Sequence, residues 1–148
     1  MPTIEELNAF FITTFDWELL PKELILIQEY INKIIDNKGK EIKIDTRLNI
    51  GEITMDLLKR KCWLNNKCIY LTKTQFNLLF YLIKNKDKVN SYEELAENVW
   101  RNENVSNNSI SVHIKNMRKI IDKGRYTYIQ TVNGVGYQIE LLEKLKEL

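Results

Sequence analysis

The chain has 148 residues, enough for one domain with an arm, and its 44% hydrophobic and 28% charged residues are typical of globular proteins. The net charge of +2 divides unevenly, because residues 1–46 hold five lysines against nine acids and the remainder holds seventeen Lys and Arg against eleven acids. No apolar run approaches the roughly 18 residues of a membrane span, and the N-terminus lacks the basic stretch of a secretory signal. We therefore expect a cytoplasmic protein without a membrane partner.

Residues 1–46 are expected to form a helical N-terminal arm. Pro21 suits a first helical turn, and Leu24, Ile27 and Ile31 follow it at helical spacing. The arm is acidic, so the basic remainder is the part that suits an anionic partner.

Between Ile42 and Leu71 the pattern predicts a small antiparallel sheet. Three short pieces have the alternation or apolar run of strands, and turn residues separate them at 49–51 and at Asn65-Asn66. The pieces are Ile53–Met55, Arg60–Leu64 and Cys68–Leu71.

The two cysteines flank the second of these turns. A two-residue turn at Asn65-Asn66 places Cys62 opposite Ile69 and Cys68 opposite Trp63, so the thiols point to opposite faces and a disulfide is not expected. Two cysteines and one histidine at this spacing do not make a metal site, and no cofactor is predicted.

Three helices are predicted next. Thr72 or Thr74 can cap the first, and Ser91 with Glu94 forms the capping box of a second, which buries Leu95, Val99 and Trp100. Ser106 can cap the third helix, Asn107–Asp122.

A β-hairpin is predicted at 128–139, with Asn133-Gly134 as a two-residue type I′ turn. The leucines of the last segment, residues 141–148, indicate a short amphipathic helix.

The third helix has two faces. Ile110, Ile114, Met117 and Ile121 recur at core spacing. The opposite face is small, polar and basic, as suits base edges; it carries Asn108, Ser109, Val112, Asn116 and Lys119. Three cations flank this face where phosphates would lie: Lys115, Arg118 and Lys119. A helix fits the DNA major groove and a β-ribbon reaches a neighbouring groove. A merely solvated face is the competing interpretation.

Four ordered blocks resemble the DNA-binding domains of OmpR/PhoB-type response regulators of two-component systems. LTKTQFNLL at 71–79 resembles the start of their first helix, and SYEELAENVW at 91–100 resembles their second helix. NSISVHIKNMRK at 108–119 is similar to their recognition helix, and TVNGVGY at 131–137 is similar to their wing.

The resemblance implies an α+β winged helix-turn-helix at 47–140, with an N-terminal antiparallel sheet, three helices and a hairpin wing. It implies sequence-specific binding to double-stranded DNA, usually as a dimer, and regulation of transcription. Carried over by position, three residues face bases: Ser109, Val112 and Asn116. Six contact or approach the DNA backbone: Asn108, His113, Lys115, Arg118, Lys119 and Thr131. The wing residues are Asn133, Gly134 and Tyr137. A loop that contacts RNA polymerase would hold Arg101, Asn102, Glu103 and Asn104.

The sequence departs from the family pattern at several positions. Gln75 replaces the usual glutamate, and asparagine stands at 108, 116 and 133 where arginine is common. Fewer cations should weaken the attraction to phosphates. Residues 1–46 are expected to be too few for a complete phosphoacceptor receiver. The arm is either a receiver remnant, which the faint similarity of AFFITTFDWELL at 9–20 to a receiver's end suggests, or an unrelated helical arm that packs on the domain or forms a dimer.

Two other functions compete with DNA regulation. A winged helix can instead dock a protein partner, without specific DNA binding. An enzyme is a distant third interpretation, because no phosphate loop, catalytic triad or paired-carboxylate motif is visible in the sequence.

Overall fold

The computed structural model describes residues 47–101 and 104–145. The predicted arm, residues 1–46, therefore lies outside the described residues. The described chain falls into two compact units, of which the first holds residues 47–48 and 56–60 and the second holds the others. In the first unit, the Lys59 backbone N–H donates to the Asp56 carboxylate at 3.0 Å, which forms a local turn.

The order of elements is β1 (Arg47–Ile50), β2 (Ile53–Asp56), β3 (Lys61–Leu64), β4 (Lys67–Ile69), α1 (Lys73–Lys84), β5 (Asn90–Ser91), α2 (Tyr92–Asn98), α3 (Asn107–Ile121), β6 (Tyr126–Val132) and β7 (Gly136–Glu143). One sheet has the strand order β1-β2-β3-β4, and a second has the order β5-β7-β6. The α+β architecture predicted from the sequence, with three helices between a sheet and a hairpin, is confirmed.

The turn between β3 and β4 forms as the sequence predicts. Asn65 and Asn66 have positive φ angles of 50° and 65°, as both central residues of a type I′ turn require. Cys62 pairs with Ile69, and Trp63 pairs with Cys68. Consequently Cys62 is buried and Cys68 is exposed, each as a free thiol.

The turn predicted at 49–51 lies further along the chain. β1 continues through Ile50, and the chain reverses at Gly51 and Glu52. Gly51 has a φ of +54°, and an added Cβ would lie 2.8 Å from the Tyr128 hydroxyl oxygen. The glycine, rather than the asparagine, therefore sets the position of this turn.

The N-terminal caps of α1 and α2 both use a side-chain hydroxyl, but only the cap of α1 forms a complete capping box. At α1 the Thr72 hydroxyl accepts from the Gln75 backbone N–H at 3.2 Å, and the Gln75 side chain accepts from the Thr72 backbone N–H at 2.9 Å. Gln75 thus completes the capping box in place of glutamate. The box predicted at α2 is only half formed, because Ser91 accepts from the Glu94 N–H while the Glu94 carboxylate pairs with Lys88 at 2.7 Å.

The second sheet holds the largest corrections. The hairpin of β6 and β7 is confirmed, but Val132 pairs with Gly136, which leaves a three-residue loop. Gly134 has a φ of +77° and Asn133 is not among the positive-φ residues. The Val135 N–H donates to the Val132 carbonyl at 3.0 Å. Type I′ is therefore wrong, and this pattern is that of a type II turn with glycine third.

The helix predicted for 141–148 is wrong as far as the described residues reach. β6 begins at Tyr126, two residues before the predicted start, and its first residues pair with the end of β7: Tyr126 with Glu143 and Thr127 with Leu142. The available strand partner outweighs the local leucine pattern, since helical spacing alone gives a short segment little stability. Strand β7 therefore continues to Glu143, past the predicted domain boundary at 140.

The short strand β5 was not predicted. It pairs with β7, placing Asn90 opposite Tyr137 and Ser91 opposite Gly136. The core lies where α1, α2 and α3 meet this sheet, and it contains fully buried Leu78, Leu95, Ile114 and Tyr128 among others. None of the helices in the described ranges has the length and apolar character of a membrane span.

Candidate nucleic-acid interface

α3 presents a fixed outer face because its other face is anchored in the core. The helix begins at Asn107 and is capped by Ser106, whose hydroxyl accepts from the Ser109 N–H at 3.1 Å. It ends at Ile121, with Asp122 as the C-cap instead of the last helical residue. Its core residues have no exposed surface, as the spacing predicted: Ile110, Ile114, Met117 and Ile121.

Six of the predicted site residues share the outer face of α3. All six are exposed: Asn108, Ser109, Val112, Lys115, Asn116 and Lys119. Val112 exposes 52% of its surface, so its methyl groups are available for contact with a thymine methyl group. An apolar group between amides, a hydroxyl and ammonium groups matches the mixed chemistry of a DNA groove.

A shallow open cavity of about 220 Å³ lies over the first half of this face. Its lining combines two hydroxyls, an amide, a branched apolar side chain and an imidazole; these belong to Ser106, Asn108, Ser109, Val112 and His113. A base edge offers hydrogen-bonding atoms and, in thymine, a methyl group, so this lining can contact both kinds of atom.

His113 lies at the border of the face and is half buried. Its ring meets the Trp100 ring edge-on, with centroids 5.3 Å apart and an interplanar angle of 60°. This geometry gives His113 a packing contact with the segment that follows α2, in addition to its predicted contact with the DNA backbone.

Arg118 differs from the six residues of the outer face because its side chain hydrogen-bonds to β6. Its Nε and Nη2 atoms donate to the Ile129 carbonyl oxygen at 3.2 and 2.8 Å, and Nη2 also donates to the Thr131 hydroxyl at 2.8 Å. Thr131, which was predicted to contact the DNA backbone, thus accepts a hydrogen bond from Arg118 of α3. Lys115 and Lys119 remain exposed on the outer face.

Tyr137, predicted as a wing residue, joins the wing to α2 and α3. It is 4% exposed, and its hydroxyl donates to Ser111 Oγ at 3.0 Å while accepting from the Tyr92 hydroxyl at 3.4 Å. Ser111 Oγ donates in turn to the Asn107 carbonyl at 3.1 Å. Burial raises the pKa of Tyr137, so the phenol remains a donor at neutral pH.

The base of the wing holds a buried amide. Asn90 has no exposed surface, and its Nδ2 donates to the Lys88 and Tyr137 carbonyls, each at 3.3 Å. Sequence reasoning missed Asn90, Tyr92 and Ser111. For Ser111 a signal existed, since seven residues separate it from Arg118 and two helical turns place both on one side of α3.

The rest of the predicted site is exposed or lies outside the described residues. The wing tip, Asn133 and Gly134, is exposed. In the predicted polymerase loop, Arg101 is exposed with a φ of 52° and Asn104 is exposed, while Asn102 and Glu103 lie outside the described ranges. Within those ranges no group of three metal-ligating side chains is found.

Comparison with known proteins identifies a family that matches this chain. The family model described as "Transcriptional regulatory protein, C terminal" matches residues 66–139, half of the chain. The chain is 36% identical over 120 residues to the regulatory protein VanR of Enterococcus faecium, covering 77% of this chain and 46% of VanR. It is 37% identical over 94 residues to the transcriptional regulatory protein QseB of Haemophilus influenzae, covering 62% of this chain and 41% of QseB.

Among solved structures, the chain is similar to the response regulator DrrB of Thermotoga maritima, described as an OmpR/PhoB homolog. The TM-score is 0.61 at 29% identity, over 79% of this chain and 51% of DrrB. The chain thus spans about half the length, or less, of these three relatives.

Proposed function

The chain belongs to the family of C-terminal domains of transcriptional regulatory proteins, of the OmpR/PhoB type, and from that premise we propose that it binds double-stranded DNA sequence-specifically and regulates transcription. α3 enters the major groove, and the hairpin of β6 and β7 reaches toward the neighbouring minor groove. This is a regulator's binding domain, with no catalytic role assigned to it.

The observation that carries this proposal is the outer face of α3. A 15-residue helix is anchored by one apolar stripe and presents an exposed face of amides, a hydroxyl, a valine and two lysines beside a braced hairpin. The width of the B-DNA major groove, about 12 Å, matches a helix with its side chains.

The residues take distinct roles in this proposal. Ser109, Val112 and Asn116 face the bases, since they lie along the exposed stripe. Lys115 and Lys119 flank them as phosphate contacts, joined by Asn108 at the start of the helix. An amide at 116 can donate to and accept from adenine, whereas a lysine supplies charge without sequence preference.

The experiment is selection of duplexes from a random pool by the full chain, followed by affinity measurement. The selected duplex should bind at least a hundredfold more tightly than its scrambled counterpart at about 150 mM salt, and the affinity should fall steeply as salt rises. Equal binding to both duplexes overturns sequence-specific function. No binding to either would favour the docking of a protein partner on α3.

Several features of the whole protein extend the proposal. The regulator acts in the cytoplasm as a homodimer, and the loop at 101–104 is a contact for RNA polymerase.

The alignment with VanR covers 77% of the chain, which is more than residues 47–148 supply, so part of the alignment falls in the arm at 1–46. This supports the proposal that the arm is a receiver remnant.

The mass of the full chain in solution tests the proposed homodimer. A monomer at all concentrations contradicts it.

A further inference from the structure

The hairpin of β6 and β7 is attached to α3 by two side chains that do not lie on its outer face. Ser111 accepts from Tyr137 of β7, and Arg118 donates to Ile129 and Thr131 of β6. The two contacts therefore reach both strands of the hairpin from one side of the helix.

The guanidinium group of Arg118 donates several hydrogen bonds at once. Nε and Nη2 converge on the Ile129 carbonyl, and the guanidinium carbon also lies 5.7 Å from the centre of the Tyr137 ring. Thr131 and Tyr137 are cross-strand partners, so one cation contacts both strands at the base of the wing. Hydrogen bonds from a charged donor are among the stronger ones in proteins.

We infer that Arg118 is a positioning residue that fixes the wing against α3, and that it acts with Ser111 instead of serving as a phosphate contact. A phosphate drawing on the same nitrogen atoms would compete with Ile129 and Thr131. Lys115 and Lys119, which are exposed on the outer face, supply the phosphate contacts. The inference rests on the proposed function, because its effect is read through DNA binding.

Salt dependence separates the two roles. Each phosphate contact contributes about 0.9 to the slope of log affinity against log salt on B-DNA. A positioning residue contributes affinity without contributing to this slope. The loss of Arg118 should therefore weaken binding at every salt concentration by a similar factor, whereas the loss of Lys115 should flatten the dependence.

The test measures the affinity of the full chain for its selected duplex between about 50 and 200 mM salt. Arg118→Gln should lower affinity about tenfold or more and leave the slope unchanged, and Lys115→Gln should reduce the slope by about 0.9. Arg118→Lys keeps the charge but loses the planar fork, so it should remain as weak as Arg118→Gln. Ser111→Ala should share the phenotype: an unchanged slope, with base preference lost mainly at the flank that the wing contacts.

The opposite pattern overturns the inference. If Arg118→Gln flattens the slope as Lys115→Gln does, and Arg118→Lys restores both slope and affinity, Arg118 is a phosphate contact. Thermal unfolding accompanies each variant, and if Arg118→Gln fails to fold, the affinity of Arg118→Lys decides: a loss of about tenfold supports the positioning role, whereas native affinity makes Arg118 a phosphate contact.

A second measurement distinguishes this inference from the proposed function. If the native chain prefers no duplex, the proposed function fails, and amide hydrogen exchange then tests the positioning role alone. Arg118→Gln should accelerate exchange in the second half of β6 and at the wing tip, and Lys115→Gln should leave it unchanged. Equal exchange in both variants overturns the positioning role.

Discussion

The backbone carbonyl oxygen of Asn90 occupies the space that a Cβ atom on Gly136 would need, since the two positions lie only 1.9 Å apart. The contact holds the two-residue strand β5 tightly against β7. Because Tyr137 follows directly, the close approach also fixes where the Tyr137 hydroxyl meets α3.

Gly136→Ala should therefore lower the free energy of unfolding by about 3 kcal/mol, since backbone must move to admit the methyl group. Gly134→Ala is the matched control: an added Cβ meets no atom within 4 Å, but the φ of +77° costs a side chain about 1 kcal/mol. Urea unfolding measures both variants. A larger loss at 134 than at 136 would contradict the close contact.

The two thiols should differ sharply in reactivity. Burial raises the pKa of Cys62 to about 12, so at pH 8 almost none of it is the reactive thiolate, while Cys68 is exposed. Iodoacetamide should modify the folded chain once, at Cys68, and a second time only in denaturant. Mass spectrometry counts the additions, with Cys68→Ser as the control that should stay unmodified while folded. Modification of Cys62 in that folded control would show the buried site to be open.

Asn116 provides a test of base recognition. Asn116→Ala should cost about 1–3 kcal/mol on the best duplex and relax the preference at one base pair. Lys115→Ala, one residue away on the same exposed face, should instead weaken binding evenly on all duplexes. Affinities for a panel of single-base variants distinguish the two patterns. An even loss for Asn116→Ala would assign it to the DNA backbone.

The wing offers a gain of contact. Asn133 is exposed at its tip, where an arginine could enter a narrow minor groove, so Asn133→Arg should raise affinity for sites with A·T flanks above that for G·C flanks. Tyr70→Arg adds the same charge at an 81% exposed position outside α3 and the wing and should favour neither flank. If Asn133→Arg behaves like this control, the wing does not approach the groove.

Local patterns predicted much of this fold because a few residues determine each element. Two asparagines at 65 and 66 were enough to place Cys62 opposite Ile69, since a two-residue turn leaves one register. The spacing of Ile110, Ile114 and Met117 likewise identified the buried face of α3, because a helix with a periodic stripe has one face to bury.

Contacts between distant residues explain what the sequence could not reveal. Leu141, Leu145 and Leu148 have helical spacing, but Leu142 between them pairs with Thr127 in a strand. Strand β5 exists because Gly136 admits the Asn90 carbonyl. The interface was predicted as a set of exposed residues, and most of them are exposed. Arg118 differs because its partners on β6 lie eleven and thirteen residues further along the chain, beyond the reach of helical periodicity.

The Asn133-Gly134 pair at the wing tip also limits how long Asn133 remains chemically unchanged. The Gly134 nitrogen can attack the Asn133 side-chain carbonyl, releasing ammonia and closing a succinimide that water opens to aspartate or isoaspartate. Both residues are exposed, and a Cβ built on Gly134 meets no atom beyond its chain neighbours within 4 Å, so packing does little to oppose the cyclisation. The product carries a negative charge where a phosphate would approach. An ageing population of this protein should thus gradually acquire chains whose wing repels the ligand that fresh chains attract.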